Sequence, residues 1–215
     1  MSPMKTDTEK MLHVARRKAD CRVLGPGTRA AIWFYGCSRH CPGCIAAAMN
    51  TSGVFDSETP ESLYEWVRNC QGIEGITLSG GEPFEQDREA LRDFLRRVRA
   101  DERELGVICF SGFTLEELRA SGGGGILNCI DLLIDGPYID RENDNTGLRG
   151  SANQRLHFLT PRYRDLQTLL LAPEARNLEI SLDLDSNILI DGIPGRKFLD
   201  EFTRKMQAAG YTLFF

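Results

Sequence analysis

The sequence predicts an α/β fold, a parallel sheet with helices in its connections, followed by a small α+β appendage. Three observations carry this reading. Between residues 30 and 134, short apolar runs alternate with amphipathic stretches of helical period. Each apolar run ends in a glycine-containing or polar loop. After Pro161 the alternation gives way to a hairpin, a helix and a last short strand. The predicted organisation is therefore a main domain over residues 1–160 and an extension over residues 161–215.

The elements follow in order. GPGTR, residues 25–29, reads as a turn before a buried strand over 30–35 that stops at Gly36. Thr59-Pro60 opens a helix, with Thr59 as N-cap and Pro60 at the first position. Residues 75–79 form a second strand. A helix from Glu85 to about Ala100 places Leu91, Phe94, Leu95 and Val98 on one face. Residues 106–110 are a third strand. Thr114 and Glu117 have capping-box spacing, so a helix follows. Residues 130–134 are a fourth strand and 154–159 a fifth. In the extension, 177–184 and 188–190 pair around a turn at 185–187, Phe198–Ala209 is a helix stopped by Gly210, and 211–215 is the last strand.

Composition sets limits. The chain has 215 residues, 41% apolar and 27% charged, enough for a core without disulfide staples. A net charge of −5 argues against broad nucleic-acid binding. The charged N-terminus has no signal-peptide core, and no run is long and apolar enough to span a membrane. The expected compartment is the cytosol, where thiols stay reduced, and seven cysteines do not make a closed disulfide framework.

The chemistry sits in GCSRHCPGC, residues 36–44, where Cys37, Cys41 and Cys44 are spaced C-x3-C-x2-C directly after the first strand. A structural zinc site needs four ligands, and no second C-x-x-C completes one. Three thiolates on a [4Fe–4S] cluster leave one iron open for a ligand. Active sites of parallel sheets gather at the carboxyl ends of the strands. That rule brings four segments to one edge: the cysteine loop, SGGEP at 79–83, SGF at 111–113 and DGPY at 135–138. Cys21, Cys70, Cys109 and Cys129 are isolated and read as buried side chains, and His40 as exposed. Gly122–Gly125 lacks the Lys-Ser/Thr of a phosphate loop and reads as a flexible loop, while Arg96, Arg97 and Arg99 read as a solvated helix face.

The C-x3-C-x2-C motif resembles that of the radical SAM enzymes. GPGTR, GC-x3-CPGC, LSGGEP, SGFTLEEL, LLIDGPY and RGSANQ also occur in the order found in activases of anaerobic ribonucleotide reductase. The likeness covers roughly residues 20–160. It departs at Ile45-Ala46, where the activases commonly carry Tyr-Asn, and it leaves the extension outside. The resemblance implies an incomplete (β/α) radical SAM barrel. It implies a [4Fe–4S] cluster on Cys37, Cys41 and Cys44, and S-adenosylmethionine chelating the free iron. Gly80, Gly81 and Glu82 would hold the methionine end. Ser111 and Gly112 would lie near the ribose, or simply form the turn before the next helix. Asp135 would help position the carboxylate, or serve as a turn residue. Arg149, Ser151, Asn153 and Gln154 would contact the cofactor or substrate, or form a solvated loop. The implied reaction is hydrogen abstraction from a glycine of a partner glycyl-radical reductase, with electrons from a small flavin or iron–sulfur donor. The alternatives are a radical SAM enzyme acting on a peptide or metabolite, and a non-enzymatic metal-binding interaction module.

Overall fold

The computed structural model describes residues 10–51, 55–173, 176–182 and 188–211. Its body is a seven-stranded sheet in the order β3-β1-β2-β4-β5-β6-β7. The strands are β1 (Leu12–Cys21), β2 (Arg29–Phe34), β3 (Asp56–Glu58), β4 (Gly75–Gly80), β5 (Gly106–Phe110), β6 (Leu132–Asp135) and β7 (Arg155–Phe158). The central strands β2, β4, β5 and β6 are parallel, as the alternation predicts. The helices linking them are α2 (Pro60–Asn69), α3 (Arg88–Arg99), α4 (Leu115–Ala120) and the single turn α5 (Gly124–Leu127); α1 (Ala48–Thr51) precedes β3.

Alternation along the strands assigns the two faces. Ala30, Ile32 and Phe34 of β2, with Val107 and Cys109 of β5, pack under the helices beside Leu91, Phe94, Leu95 and Val98. Ala31 and Trp33 of β2 point to the opposite face. So do Ile108 of β5 and Leu132 and Ile134 of β6. The helix starts are chemically plain. Thr59 accepts from Ser62 N at 3.1 Å, and Thr114 with Glu117 forms the capping box.

Several expectations are corrected. The fifth strand runs antiparallel to β6, because residues 136–154 are polar and form no crossover helix; the chain simply turns back. The helix expected from Glu85 begins later. Pro83–Glu85 is a 3₁₀ turn, and Asp87 caps α3 by accepting from Glu89 N and Ala90 N. Gly124–Gly125 opens α5 instead of lying in a loop. The strand β1 was not expected. At the start of the extension, Pro161–Leu166, a 3₁₀ segment, and α6 (Gln167–Leu171) pack against the sheet through Tyr163 and Leu170. A separate two-stranded sheet of β8 (Leu178–Leu182) and β9 (Ile188–Gly192) follows, then α7 (Phe198–Ala208). The turn expected at 185–187 and the last strand beyond Tyr211 lie outside the described residues. Among the described residues no helix is long and apolar enough to cross a membrane.

At the amino ends of the parallel strands sits Arg29, fully buried. It is the arginine of GPGTR. Its Nε donates to Thr77 Oγ1 (2.6 Å), its Nη1 to Pro26 O and Tyr163 Oη (both 3.1 Å), and its Nη2 to Ile76 O (2.5 Å) and Gly106 O (2.9 Å). Burial lowers its pKa, and carbonyl and hydroxyl oxygens hold the charge, with no carboxylate bonded to it among the described residues. Gly75 and Gly106 make room: a Cβ on Gly75 would overlap Gly106 O, and one on Gly106 would overlap Tyr163 Oη.

Two outcomes are expected in urea unfolding. Arg29→Met should lose about 3 kcal/mol, because it strands buried acceptors. Gly106→Ala should be destabilising in the native background and less so with Tyr163→Phe. Equal cost in both backgrounds would exclude the Tyr163 clash as its cause.

Candidate functional site

The cysteine loop leaves β2 at Gly36, whose φ of +91° turns the chain over the sheet. Gly43 at +76° and His40 at +44° curl it further. The loop is tied down on three sides. Gly36 N donates to Met49 O at 2.8 Å. Ser38 N donates to Glu85 Oε2 at 2.9 Å, and Ser38 Oγ bonds the other Glu85 oxygen. Arg39 lies over the Phe113 ring, 4.2 Å from its centroid, and pairs with Glu117 at 2.7 Å. One Glu117 oxygen thus takes both Arg39 and the N–H of Thr114. Sequence reasoning missed Arg39 and Glu85; their only signal was a charged residue within the cysteine loop and another just after SGGEP.

The two glycines at the end of β4, Gly80 and Gly81, have a structural reason of their own. Gly81 N donates to Phe34 O at 2.8 Å and Glu82 N to Gly36 O at 2.7 Å. A Cβ on Gly81 would overlap Gly36 O, and one on Gly80 (φ +92°) would lie 2.7 Å from Phe34 N and O. The end of β4 and the root of the cysteine loop are in backbone contact, and only glycine permits it.

Glu82 is 1% exposed. Its Oε1 accepts from Ser111 Oγ (2.8 Å) and Phe84 N (3.1 Å), and its Oε2 from Gly112 N (2.7 Å). Burial pushes its pKa up to about 7, against those three hydrogen bonds. Among the described residues no cation pairs with it. Ser111 and Gly112, expected near a ribose or as the turn before the next helix, line the cavity and hydrogen-bond this carboxylate.

These groups share a cavity of about 460 Å³ at the carboxyl ends of β2, β4, β5 and β6. Cys37, Cys41 and Cys44 line one wall, and Gly80, Gly81, Glu82, Ser111 and Gly112 the floor. Trp33 and Phe110 give it an apolar flank, and residues 192–197 of the extension supply a further wall. All seven cysteines are free. Burial raises the Cys37 and Cys44 thiols, a backbone N–H opposing it at each. Among the described residues no three His, Cys, Asp or Glu side chains converge closely enough to hold a metal ion. The thiols therefore share a wall without forming a closed ligand set. The donor chemistry still fits a thiophilic cluster: three sulfurs on one loop face a cavity, and across it lies a buried carboxylate suited to an ammonium group.

Other candidates fall elsewhere. Asp135 is buried outside the cavity lining. Burial would raise its pKa, but Arg155 at 2.7 Å, Leu115 N at 2.6 Å and His157 at 2.9 Å hold it below the usual carboxylate value. Asp135, expected to help position a carboxylate or to serve as a turn residue, ties β6 to β7 and α4. The RGSANQ residues mostly build their own loop. Ser151 Oγ donates to Asn153 Oδ1, Asn153 Nδ2 to Pro137 O, and Arg149 pairs with Asp144. Gln154 reaches the cavity while also bonding Gly150 N and Gly136 O.

The chain matches the model of the 4Fe-4S single cluster domain family over residues 23–157. It is 30% identical over 143 residues to the anaerobic ribonucleoside-triphosphate reductase-activating protein of Salmonella typhi, covering 64% of this chain and 92% of that one. The protein of the same name from Haemophilus influenzae is 31% identical over 141 residues, 63% and 90% of the two chains. That of enterobacteria phage T4 is 30% identical over 138 residues, 62% and 86%.

The Glu82 geometry yields a pH prediction for the metal-free chain. Its carboxyl titrates near 7 when folded and near 4.5 when unfolded, so folding retains a proton that the unfolded chain releases. Glu82 therefore opposes folding increasingly from pH 4.5 to 7, by up to about 3 kcal/mol. Urea titrations across that range should show stability falling with pH, with a flatter fall in Glu82→Gln. Identical slopes for the two chains would contradict the assignment.

Proposed function

This chain belongs to the 4Fe-4S single cluster domain family and is similar to anaerobic ribonucleoside-triphosphate reductase-activating proteins, and we propose that it activates an anaerobic ribonucleotide reductase by radical SAM chemistry. The observation that carries the proposal is one cavity lined by three thiols and by the buried Glu82 carboxylate. Its cofactors are a [4Fe–4S] cluster and S-adenosylmethionine. When bound, they supply one-electron cleavage of the sulfonium and a 5′-deoxyadenosyl radical, which takes hydrogen from a glycine.

The chain's own residues do the binding and positioning. Cys37, Cys41 and Cys44 would hold the cluster; as free thiols they must lose their protons to do so, and burial makes that loss unfavourable before the metal arrives. Glu82 would take the ammonium of the methionine end. A cation there favours the charged carboxylate and reverses the effect of burial. Ser111 Oγ and Gly112 N fix the carboxylate's orientation, so it does not rotate away from the ligand. Trp33 and Phe110 keep water from that flank. The parallel strands are read as the incomplete (β/α) barrel of this chemistry, with helices on one face and the cavity at the strand ends. The partner is a glycyl-radical reductase. The electron donor is a small flavin or iron–sulfur protein, and free thiols suit a reducing cytosol.

Anaerobic reconstitution with iron, sulfide, S-adenosylmethionine and a strong reductant tests this. The expected results are 5′-deoxyadenosine and, with the reductase added, an organic radical by electron paramagnetic resonance. Cys41→Ala should lose both the brown chromophore and cofactor cleavage. Glu82→Gln should keep the iron and weaken S-adenosylmethionine binding at least tenfold. Iron loss in the Glu82 variant would remove it from the proposed role.

A further inference from the structure

The cavity is not built by the family-matched residues alone. The match ends at residue 157, yet residues 192–197 form part of the cavity wall. What holds them there is specific. Asp191, 2% exposed, sits at the end of β9. Its Oδ1 lies 2.7 Å from Arg16 Nη1, and its Oδ2 accepts from Arg16 Nη2 at 2.9 Å and Lys18 Nζ at 3.1 Å. Lys18 also bonds Glu179 of β8 at 3.0 Å. Arg16 in turn stacks over Trp33, 4.8 Å from the ring centroid, and Trp33 lines the cavity. Two residues on, Ile193 packs against the apolar groups on either side of Phe110.

The far end is fastened to the loop after β6. Arg196 N donates to Asn145 Oδ1 at 2.6 Å. Arg176, just before β8, donates to Asn143 Oδ1 at 2.6 Å and to Gly150 O at 2.8 Å. In the sheet order, β1 lies on one side of the four parallel strands and the β6–β7 connection on the other. Residues 191–196 therefore cross the cavity side of the sheet from edge to edge. They are fixed by the ion pairs of the buried Asp191 at one end and by the Arg196–Asn145 hydrogen bond at the other.

Resting on the function proposed above, we propose that residues 191–197 are a specificity strap that selects which reductase segment reaches the cysteine loop. The physical ground is size. An α-helix with its side chains is about 10–12 Å across. A cavity of about 460 Å³, walled by the cysteine loop on one side and crossed by the strap, has no room for one beside a cofactor. An extended segment of small residues is narrower than a helix, and bulky neighbours of the reacting glycine would meet Ile193 and Pro194, which line the cavity. Relaxing the strap should relax that selection without touching the thiols or Glu82.

The test compares the full chain with Asp191→Asn and, from the other side of the latch, Lys18→Gln. Backbone hydrogen exchange is read first. Amides at 188–197 should exchange at least tenfold faster in either variant, with β4, β5 and β6 unchanged. Radical formation is then measured with the chain's own reductase and with the Escherichia coli anaerobic reductase. The unaltered chain should favour its own partner at least tenfold; the variants should lower that ratio below threefold. Cleavage of S-adenosylmethionine without partner should stay within twofold of the unaltered chain. An unchanged ratio in a variant with a loosened strap overturns the proposal. So does exchange that rises throughout the sheet, which would make the strap part of the core. Should Asp191→Asn not fold, Lys18→Gln alone decides by the same two readings. A chain that forms no radical with either reductase counts against the functional reading, whereas a flat ratio counts against the strap.

Discussion

The site depends on one constraint: the carboxyl ends of β2, β4 and β5 must be held in contact while the cysteine loop lies on top of them. Glu82 meets it. Its carboxylate gathers a hydroxyl and two amides, two of these three donors from the residues just after β5, while its own amide bonds the root of the cysteine loop. Glycine at 81 lets that root approach to backbone distance. Remove the carboxylate and three donors lose their acceptor; add a Cβ at 81 and the loop must lift. The residue that faces the cavity is therefore also the one that shapes it.

The same strands carry a second buried charge at their other ends. Among the described residues, Arg29 and Glu82 each hydrogen-bond neutral partners. Their consequences differ. A guanidinium keeps its proton even when burial lowers its pKa, so Arg29 is a fixed fastener. A carboxyl near pH 7 changes charge with its surroundings, so Glu82 responds to what enters the cavity.

Much of this was legible where local chemistry dictates structure. The apolar runs located β2, β4, β5 and β6, and Thr114 with Glu117 announced α4. The strand-end rule brought the cysteine loop and the segments at 79–82 and 111–112 to one cavity, though Asp135 did not follow them there. Asp135 looked like a turn or ligand residue because nothing local shows that Arg155 and His157 will lie opposite it on β7. β1 was hidden because Arg16, Arg17 and Lys18 interrupt its apolar pattern. In the fold Arg16 and Lys18 turn to Asp191, and Arg17 to Glu58 on the other side. The wall at 192–197 was out of reach for the same reason: its fastening joins residues 175 positions apart.

Tyr163 has a consequence for how the chain is made. It is the last-translated partner of Arg29, and its ring packs with Ile108 and Leu132 beneath the sheet. On a ribosome, the four parallel strands emerge before it does. Until it arrives, the nascent sheet carries a guanidinium with an open donor and an uncovered apolar floor, the condition that chaperones recognise. The Arg29 pocket is complete only once the chain beyond its seventh strand has been made.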